Sequence, residues 1–314
     1  MSGQIVDSGP FEKTLSSTNK HKEQLMRRAT YASVSVACLL IIIKLTAYVL
    51  TGSVALLSSL IDSVLDALAS TVNLFAVRHA LTPADREHRF GHGKAEPLAG
   101  LGQAAFIAGS SLFLIFAAIN RLVYPIQIQH GMTGIVVIVI SLLLTVALIG
   151  YQRYVVERTK SIAVHADSIH YFSDVIMNAS VIAALVLNAY FGWLMADPVF
   201  ALCIAVYIIY SAGRIAVYSL TQLMDRELPD EDRERIKKIA LDHSEVKSLH
   251  ELRTRASGKD FFIQLHLEMD SSISLIKAHN IADEVELEIR KAYPNADVII
   301  HEDPEGFERG VSSD

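Results

Sequence analysis

The sequence has few cysteines and lacks the clustered basic residues that bind nucleic acids. Only two cysteines occur among its 314 residues, Cys38 and Cys203, and both lie inside apolar runs. Two such cysteines argue against a disulfide framework and a cysteine-rich metal site, so we expect them to be buried spectators. No basic patch with interleaved aromatic residues occurs, and we therefore predict no nucleic-acid partner.

Charge is missing from long stretches of the chain. Hydrophobic residues make up 51% of the sequence, and the mean hydropathy is +0.34. The apolar residues collect in runs near the length of about 20 residues that a helix needs to cross a bilayer. We predict a polytopic α-helical membrane protein with six transmembrane helices. Their predicted spans are 30–50, 54–78, 97–121, 132–152, 162–190 and 197–220.

Basic residues between the predicted spans lie mostly on one side of the membrane. The segment before the first span and the second and fourth loops are basic, whereas the third loop has Arg121 alone and the fifth loop has no basic residue. The positive-inside rule then predicts that both termini are cytoplasmic. The first apolar run is too long for a signal peptide and shows no cleavage signal, so we predict it as the first span.

After about residue 220 the composition becomes that of a soluble domain. Two amphipathic helical patterns and three strand patterns follow in the order α-β-β-α-β, which predicts a small α+β domain with its helices on one face of the sheet. Ser274 fits the N-cap of the second helix. The predicted organisation is a polar N-terminal extension (1–26), a six-helix transmembrane domain (27–222), a cytoplasmic domain (223–304) and a flexible tail (305–314).

The second predicted span carries two acids in an otherwise apolar run. Asp62 and Asp66 are four residues apart and share one helix face near the middle of the span. An acid at that depth costs about 2.5–3.5 kcal/mol on insertion scales, and two adjacent acids also repel each other. Neutral hydroxyl or amide partners could not offset two charges, so the pair indicates a function.

The fifth predicted span contains two further possible metal ligands. His170 and Asp174 are again four residues apart, so two helix faces with two ligands each could close a four-coordinate site. Three carboxylates and one imidazole suit a tetrahedral divalent cation such as Zn²⁺. His165 and Asp167 lie nearer the cytoplasmic end of the span and are left out of the predicted site.

These motifs resemble the cation diffusion facilitator family, and in particular its bacterial zinc and ferrous-iron efflux branch. The resemblance rests on D-x-x-x-D in the second span, H-x-x-x-D in the fifth, six spans and an αββαβ tail. The segments "PADREHRFGHGKAE", "SLHELRTRASG" and "VIIHEDP" sharpen it. The similarity runs from about Arg27 to Pro304. It implies a homodimeric, proton-coupled exporter of Zn²⁺, with Cd²⁺ or Fe²⁺ as further substrates, in the bacterial inner membrane.

The resemblance also implies three metal sites and one ion pair. The transport site would be the set already chosen, namely Asp62, Asp66, His170 and Asp174. A loop site at the membrane surface would be formed by Asp85, His88 and His92. A binuclear zinc site in the metallochaperone-like tail would fasten the two subunits through His250, His266, His279, His301 and Asp303. Lys94 and Asp225 would pin the membrane helices to the tail.

Three other classes of protein compete with a transporter. A metalloenzyme would need an open coordination position, but four protein ligands leave none and no H-E-x-x-H motif occurs. A metal sensor would explain the tail but not the membrane acids. A channel would need polar groups along the whole pore, whereas here they cluster at one depth. In an antiporter the membrane carboxylates need not remain as bare charges, because either a metal ion or protons are always bound to them.

Overall fold

The computed structural model describes residues 10–52, 54–123, 132–193 and 195–306. It divides the chain into two compact units, Met1–Leu220 and Thr221–Asp314. Most of the predicted tail, from residue 307 onward, lies outside the described residues.

The first unit is a helical transmembrane domain of six long helices, as predicted. Five of them contain segments that are long and apolar enough to cross a membrane, and α5 is the sixth. The helix that departs from this pattern carries Asp167, His170 and Asp174. The helices are α1 (Pro10–Thr51), α2 (Val54–Ala80), α3 (Ala95–Val123), α4 (Met132–Thr159), α5 (Ile162–Phe191) and α6 (Ala196–Leu223).

Helix α1 begins well before the predicted first span, at Pro10. Proline is favoured at the first position of a helix because its missing N–H has no intrahelical acceptor there. Many large apolar side chains of this unit are exposed, for example Phe113 and Phe116 on α3, as expected of a lipid-facing surface. The prediction of buried cysteines is wrong: Cys38 and Cys203 are both exposed, because they lie on the outward faces of their helices.

The start of α5 is fixed by two polar side chains. Ser161 precedes the helix and its Oγ accepts a hydrogen bond from the backbone N–H of Val164 at 3.2 Å, which is the geometry of an N-cap. The same hydroxyl donates to Oε1 of Glu96, at the start of α3, at 2.5 Å. A carboxylate at this position also complements the positive end of the α5 dipole. These contacts set the rotation and depth of the helix that carries His170.

The second unit has the predicted αββαβ order. Its elements are α7 (Asp230–Leu241), β1 (Val246–Ser257), β2 (Asp260–Met269), α8 (Leu275–Ala292) and β3 (Ala296–Pro304). The central strand β2 pairs antiparallel with β1 and parallel with β3. Ser274 caps α8 as predicted, since its hydroxyl accepts from the N–H of Lys277.

Alternation along β2 separates a core from a polar face. Ile263, Leu265 and Leu267 are buried and pack with Ile281 and Val285 of α8. The intervening residues of β2 point away from this core, and His266 is one of them. The sheet therefore carries the predicted ligands His250, His266, His301 and Asp303, whereas His279 lies on α8.

Candidate metal centres

Three of the four predicted membrane ligands meet between α2 and α5. Nε2 of His170 lies 3.0 Å from Oδ1 of Asp66 and 3.9 Å from Oδ2 of Asp174. One ligand atom from each residue fits within 4.8 Å of the others. His170 is 5% exposed, and its ring meets Phe106 edge-on. Two carboxylates and one imidazole at this spacing can bind a divalent cation.

Asp62 lies outside this group of three. It is one turn before Asp66 on α2, and its side chain is exposed. The described groups of metal-ligand residues include Asp66, His170 and Asp174 but not Asp62. Its role as a fourth ligand stays a prediction.

A buried polar cluster lies one turn from His170, around a residue that sequence reasoning left out. Asp167 is 1% exposed. Its Oδ2 accepts hydrogen bonds from Ser33 Oγ on α1 and Gln152 Nε2 on α4, each at 2.7 Å. Ser70 Oγ on α2 lies 3.4 Å from Oδ1 and 2.8 Å from the hydroxyl of Tyr171. The cluster ties α5 to three other helices. The sequence did contain a signal for Asp167, because it lies three residues before His170 and residues three apart on a helix share a face.

A second residue absent from the predicted site is a membrane lysine. Lys44 lies in the apolar half of α1, and its Nζ donates to Ser63 Oγ at 2.6 Å and to the carbonyl of Ser59 at 3.1 Å. Both partners belong to the part of α2 that carries Asp62. A lysine inside a predicted span is a signal in the sequence, because such residues are costly and rare in membranes.

The loop between α2 and α3 brings together the three residues predicted there. His88 Nδ1 lies 3.4 Å from Oδ1 of Asp85, and His92 Nε2 lies 3.3 Å from Oδ2. Nδ1 of His92 is 3.3 Å from the carbonyl of Thr82, which orients the ring toward the carboxylate. The three residues form a possible metal group. His79, which was not predicted, places its ring 4.5 Å from that of His92.

Backbone groups also hold the carboxylate of Asp85. Its Oδ1 accepts hydrogen bonds from the N–H of His88 at 2.6 Å and of Glu87 at 2.9 Å. The first of these is the main cause that lowers the pKa of Asp85, and the loss of hydration opposes it. An ionised carboxylate between two imidazoles is a suitable cation ligand.

The polar face of the sheet gathers a third group around Asp303. His250 and His266 are direct cross-strand partners, as are His266 and His301, so the three imidazoles form a row across the sheet. Oδ2 of Asp303 lies 2.8 Å from His266 Nδ1 and 3.3 Å from His250 Nε2. Its Oδ1 lies 3.3 Å from His301 Nε2. Both carboxylate oxygens therefore face imidazoles, which suits a bridging ligand.

His279 and Asp225 each lie beside charged side chains of the second unit. His279 lies 3.6 Å from Asp283 and 3.9 Å from Glu302, and its part in the binuclear site stays a prediction. Asp225 accepts a hydrogen bond from Arg255 at 3.3 Å. The pairing of Asp225 with Lys94 would join the two units and stays a prediction.

Comparison with protein families assigns both units. Residues 30–224 match the cation efflux transmembrane domain, and residues 228–305 match the cation efflux protein cytoplasmic domain. The chain belongs to the cation efflux family, the cation diffusion facilitators, as the sequence motifs predicted. It is therefore a transporter and not an enzyme.

The curated relatives narrow the class to transporters of the FieF type. A cation-efflux pump FieF of Klebsiella pneumoniae is 48% identical over 286 residues, which cover 91% of this chain and 95% of the relative. The FieF of Escherichia coli O1:K1 has the same identity and coverage. That of Escherichia fergusonii is 47% identical with the same coverage. A solved structure of a candidate zinc transporter, CzrB in its zinc form, is 31% identical, covers 27% of this chain and 98% of its own, and has a TM-score of 0.26.

Proposed function

We propose that this protein is a homodimeric antiporter that exports Zn²⁺, and also Cd²⁺ or Fe²⁺, in exchange for protons. The observation that carries the proposal is the meeting of Asp66, His170 and Asp174 within 4.8 Å between α2 and α5. Asp62, one turn before Asp66 on α2, would complete the tetrahedral set. The mixed oxygen and nitrogen donors favour these borderline metals over Mg²⁺.

Proton exchange follows from where the ligands lie. Like-charge repulsion and the loss of hydration both oppose three ionised carboxylates in one membrane site. Metal binding requires deprotonated ligands and so expels protons, and proton binding in turn favours metal release. If the site opens alternately to the two sides of the membrane, this competition couples metal export to proton entry.

The remaining groups have supporting roles in the proposal. The row of histidines around Asp303 would bind structural zinc and stabilise the dimer, with His279 as an outer ligand. The loop group at Asp85 would bind metal at the membrane surface without being required for transport. Lys94 and Asp225 would fix the membrane helices relative to the tail. Both termini would lie in the cytoplasm, and the protein in the bacterial inner membrane.

The test is zinc uptake into inside-out membrane vesicles, with and without an imposed proton gradient. Wild-type protein is expected to take up zinc in a gradient-dependent way, and Asp174→Ala is expected to abolish uptake while still inserting and forming dimers. Ser180→Ala is a matched control on the same helix, because the Ser180 hydroxyl donates to the carbonyl of Met177 in its own turn at 2.8 Å. Wild-type flux through Asp174→Ala would refute the site, and flux that ignores the gradient would refute proton coupling.

A further inference from the structure

Lys44 places a cation beside the turn of α2 that carries the membrane carboxylates. Its Nζ donates to Ser63 Oγ at 2.6 Å and to the Ser59 carbonyl at 3.1 Å. Ser63 directly follows Asp62 and precedes Asp66 by three residues, and it is 1% exposed. The ammonium group is therefore fixed to the helix of the ligands.

The side chain of Lys44 does not extend toward water. A lysine near the end of a membrane helix usually extends its head group to the interface. Here the head group instead binds a neighbouring helix, through a buried hydroxyl and a backbone carbonyl. Neither partner carries a charge, so neither of them balances the ammonium.

The charges that attract Lys44 are those of the proposed transport ligands. Its electrostatic interactions are with Asp66, Asp174 and Asp62, in decreasing order. The ammonium donates to serine groups rather than to these carboxylates, which leaves their oxygens available to a metal. Lys44 thus acts on the ligand set through its field.

We propose that Lys44 is a built-in competitor of the transported cation, a positioning residue whose fixed charge keeps zinc from binding too tightly and so speeds its release. This inference rests on the proposed function. Three carboxylates and one ammonium have a net charge of minus two, which one divalent cation balances. Without Lys44, the same bound cation would leave a residual negative charge and would be held more strongly.

Weaker zinc binding can speed turnover, because the metal must be released in every transport cycle. Very tight binding to the inward-open site would lower the apparent KM but trap the metal in the outward-open state. Binding that is equally tight throughout the cycle does not raise turnover. Loss of the Lys44 charge should therefore lower KM and kcat together.

The experiment measures initial rates of zinc uptake into proteoliposomes at one fixed pH, over a range of zinc concentrations. Lys44→Gln removes the charge but retains hydrogen-bond donors for Ser59 and Ser63. We expect its KM and kcat each to fall at least about tenfold, because a unit charge that interacts with the ligands in a medium of intermediate dielectric has effects of that order or larger. Lys44→Arg, which retains the cation, should restore both constants toward wild type.

Two further variants keep the test decisive. Lys44→Met removes the charge with an apolar chain of similar length, so it replaces Lys44→Gln if that variant fails to form dimers. Ser63→Ala keeps the charge and removes one hydrogen bond, and its KM should stay within about twofold of wild type. An unchanged or raised KM in the neutral variants would overturn the proposal, as would an equal shift in Ser63→Ala. Failure of the proposed function is distinguishable, because it would appear as zinc flux in Asp174→Ala whatever the Lys44 variants do.

Discussion

Gln152 donates a hydrogen bond of 2.7 Å from its Nε2 to Oδ2 of Asp167, and both side chains are almost completely removed from solvent. Within the described part of the chain, the carbonyl Oε1 of the same amide has no hydrogen-bond partner. Asp167 is therefore held by neutral donors from neighbouring helices. A buried carboxylate that loses one of its donors is less well compensated for its desolvation.

Gln152→Leu is expected to destabilise the membrane unit by about 1–3 kcal/mol, because it leaves Asp167 with fewer donors. The measurement is thermal unfolding of the purified protein in detergent. The double variant Gln152→Leu/Asp167→Leu should be less destabilised than the sum of the two single variants, since it removes both partners together. Additive losses would show that the two residues do not act as a pair.

Gly100 is expected to be intolerant of a methyl group. A Cβ atom there would lie 2.8 Å from both Ile162 Cγ2 on α5 and Ser219 Oγ on α6. We expect Gly100→Ala to lower stability by about 1–3 kcal/mol through overpacking. Gly102→Ala is the matched control on the same helix, because no other part of the described chain comes within 4 Å of its Cβ position. Equal unfolding temperatures for the two variants would contradict close packing at Gly100.

His170→Asp is expected to weaken the selectivity for zinc. The variant would offer only carboxylate oxygens, and oxygen ligands suit Mn²⁺, whereas imidazole favours zinc. Uptake of Zn²⁺ and Mn²⁺ by both proteins in proteoliposomes, over a series of pH values, measures the change. We expect Mn²⁺ uptake only in the variant, with a shifted pH profile because an imidazole is lost. An active variant with the wild-type ratio of the two metals would assign selectivity to the shape of the cavity instead.

His266→Ala is expected to weaken zinc-dependent dimerisation of the fragment 221–314, which has its own hydrophobic core. His266 is the central imidazole of the row and lies 2.8 Å from Asp303. Sedimentation with and without zinc measures association. His243→Ala is the control, because His243 pairs with Glu284 at 3.1 Å, away from the row. An equal response of both variants to zinc would reduce His266 to a surface histidine.

Ionised Asp303 is expected to stabilise the metal-free fragment, and this contribution is expected to disappear in acid. Burial raises the pKa of Asp303, but the hydrogen bond from His266 and the charges of the three neighbouring histidines outweigh it and lower the pKa below 3.8. A lowered pKa in the folded state gives stability that is present above about pH 4 and is lost as the pH falls through the folded value. Urea unfolding at a series of pH values, in the presence of a chelator, should show the difference between wild type and Asp303→Asn shrinking in acid. A difference that is independent of pH would contradict this effect.

Periodicity in the sequence was sufficient to predict the fold. Apolar runs predicted the six long helices, and alternation along β2 predicted its buried face. The prediction of which helix residues are buried failed for the two cysteines. Cys38 and Cys203 are exposed because a membrane protein has apolar residues on its outer surface as well, and hydropathy does not distinguish the two locations.

The candidate site could be predicted only in part. Residues four apart on one helix lie on the same face. This rule predicted Asp66, His170 and Asp174 as ligands. Contacts between different helices carry no such local signal, so neither the bond from Lys44 to Ser63 nor that from Ser33 to Asp167 could be foreseen. Spacing along the chain also gave no reason to separate Asp62 from the other three.

The histidine row depends on the same strand pairing as the core beneath it. Because His250, His266 and His301 are direct partners, their alignment exists only in the observed register. A deletion of one residue within β2 would turn the following side chains to the opposite face of the sheet. A deletion before Leu265 would thus place His266 and Glu268 at the buried positions of Leu265 and Leu267. Natural variation in this unit should therefore be confined to substitutions in the strands, with changes of length restricted to the connections between them.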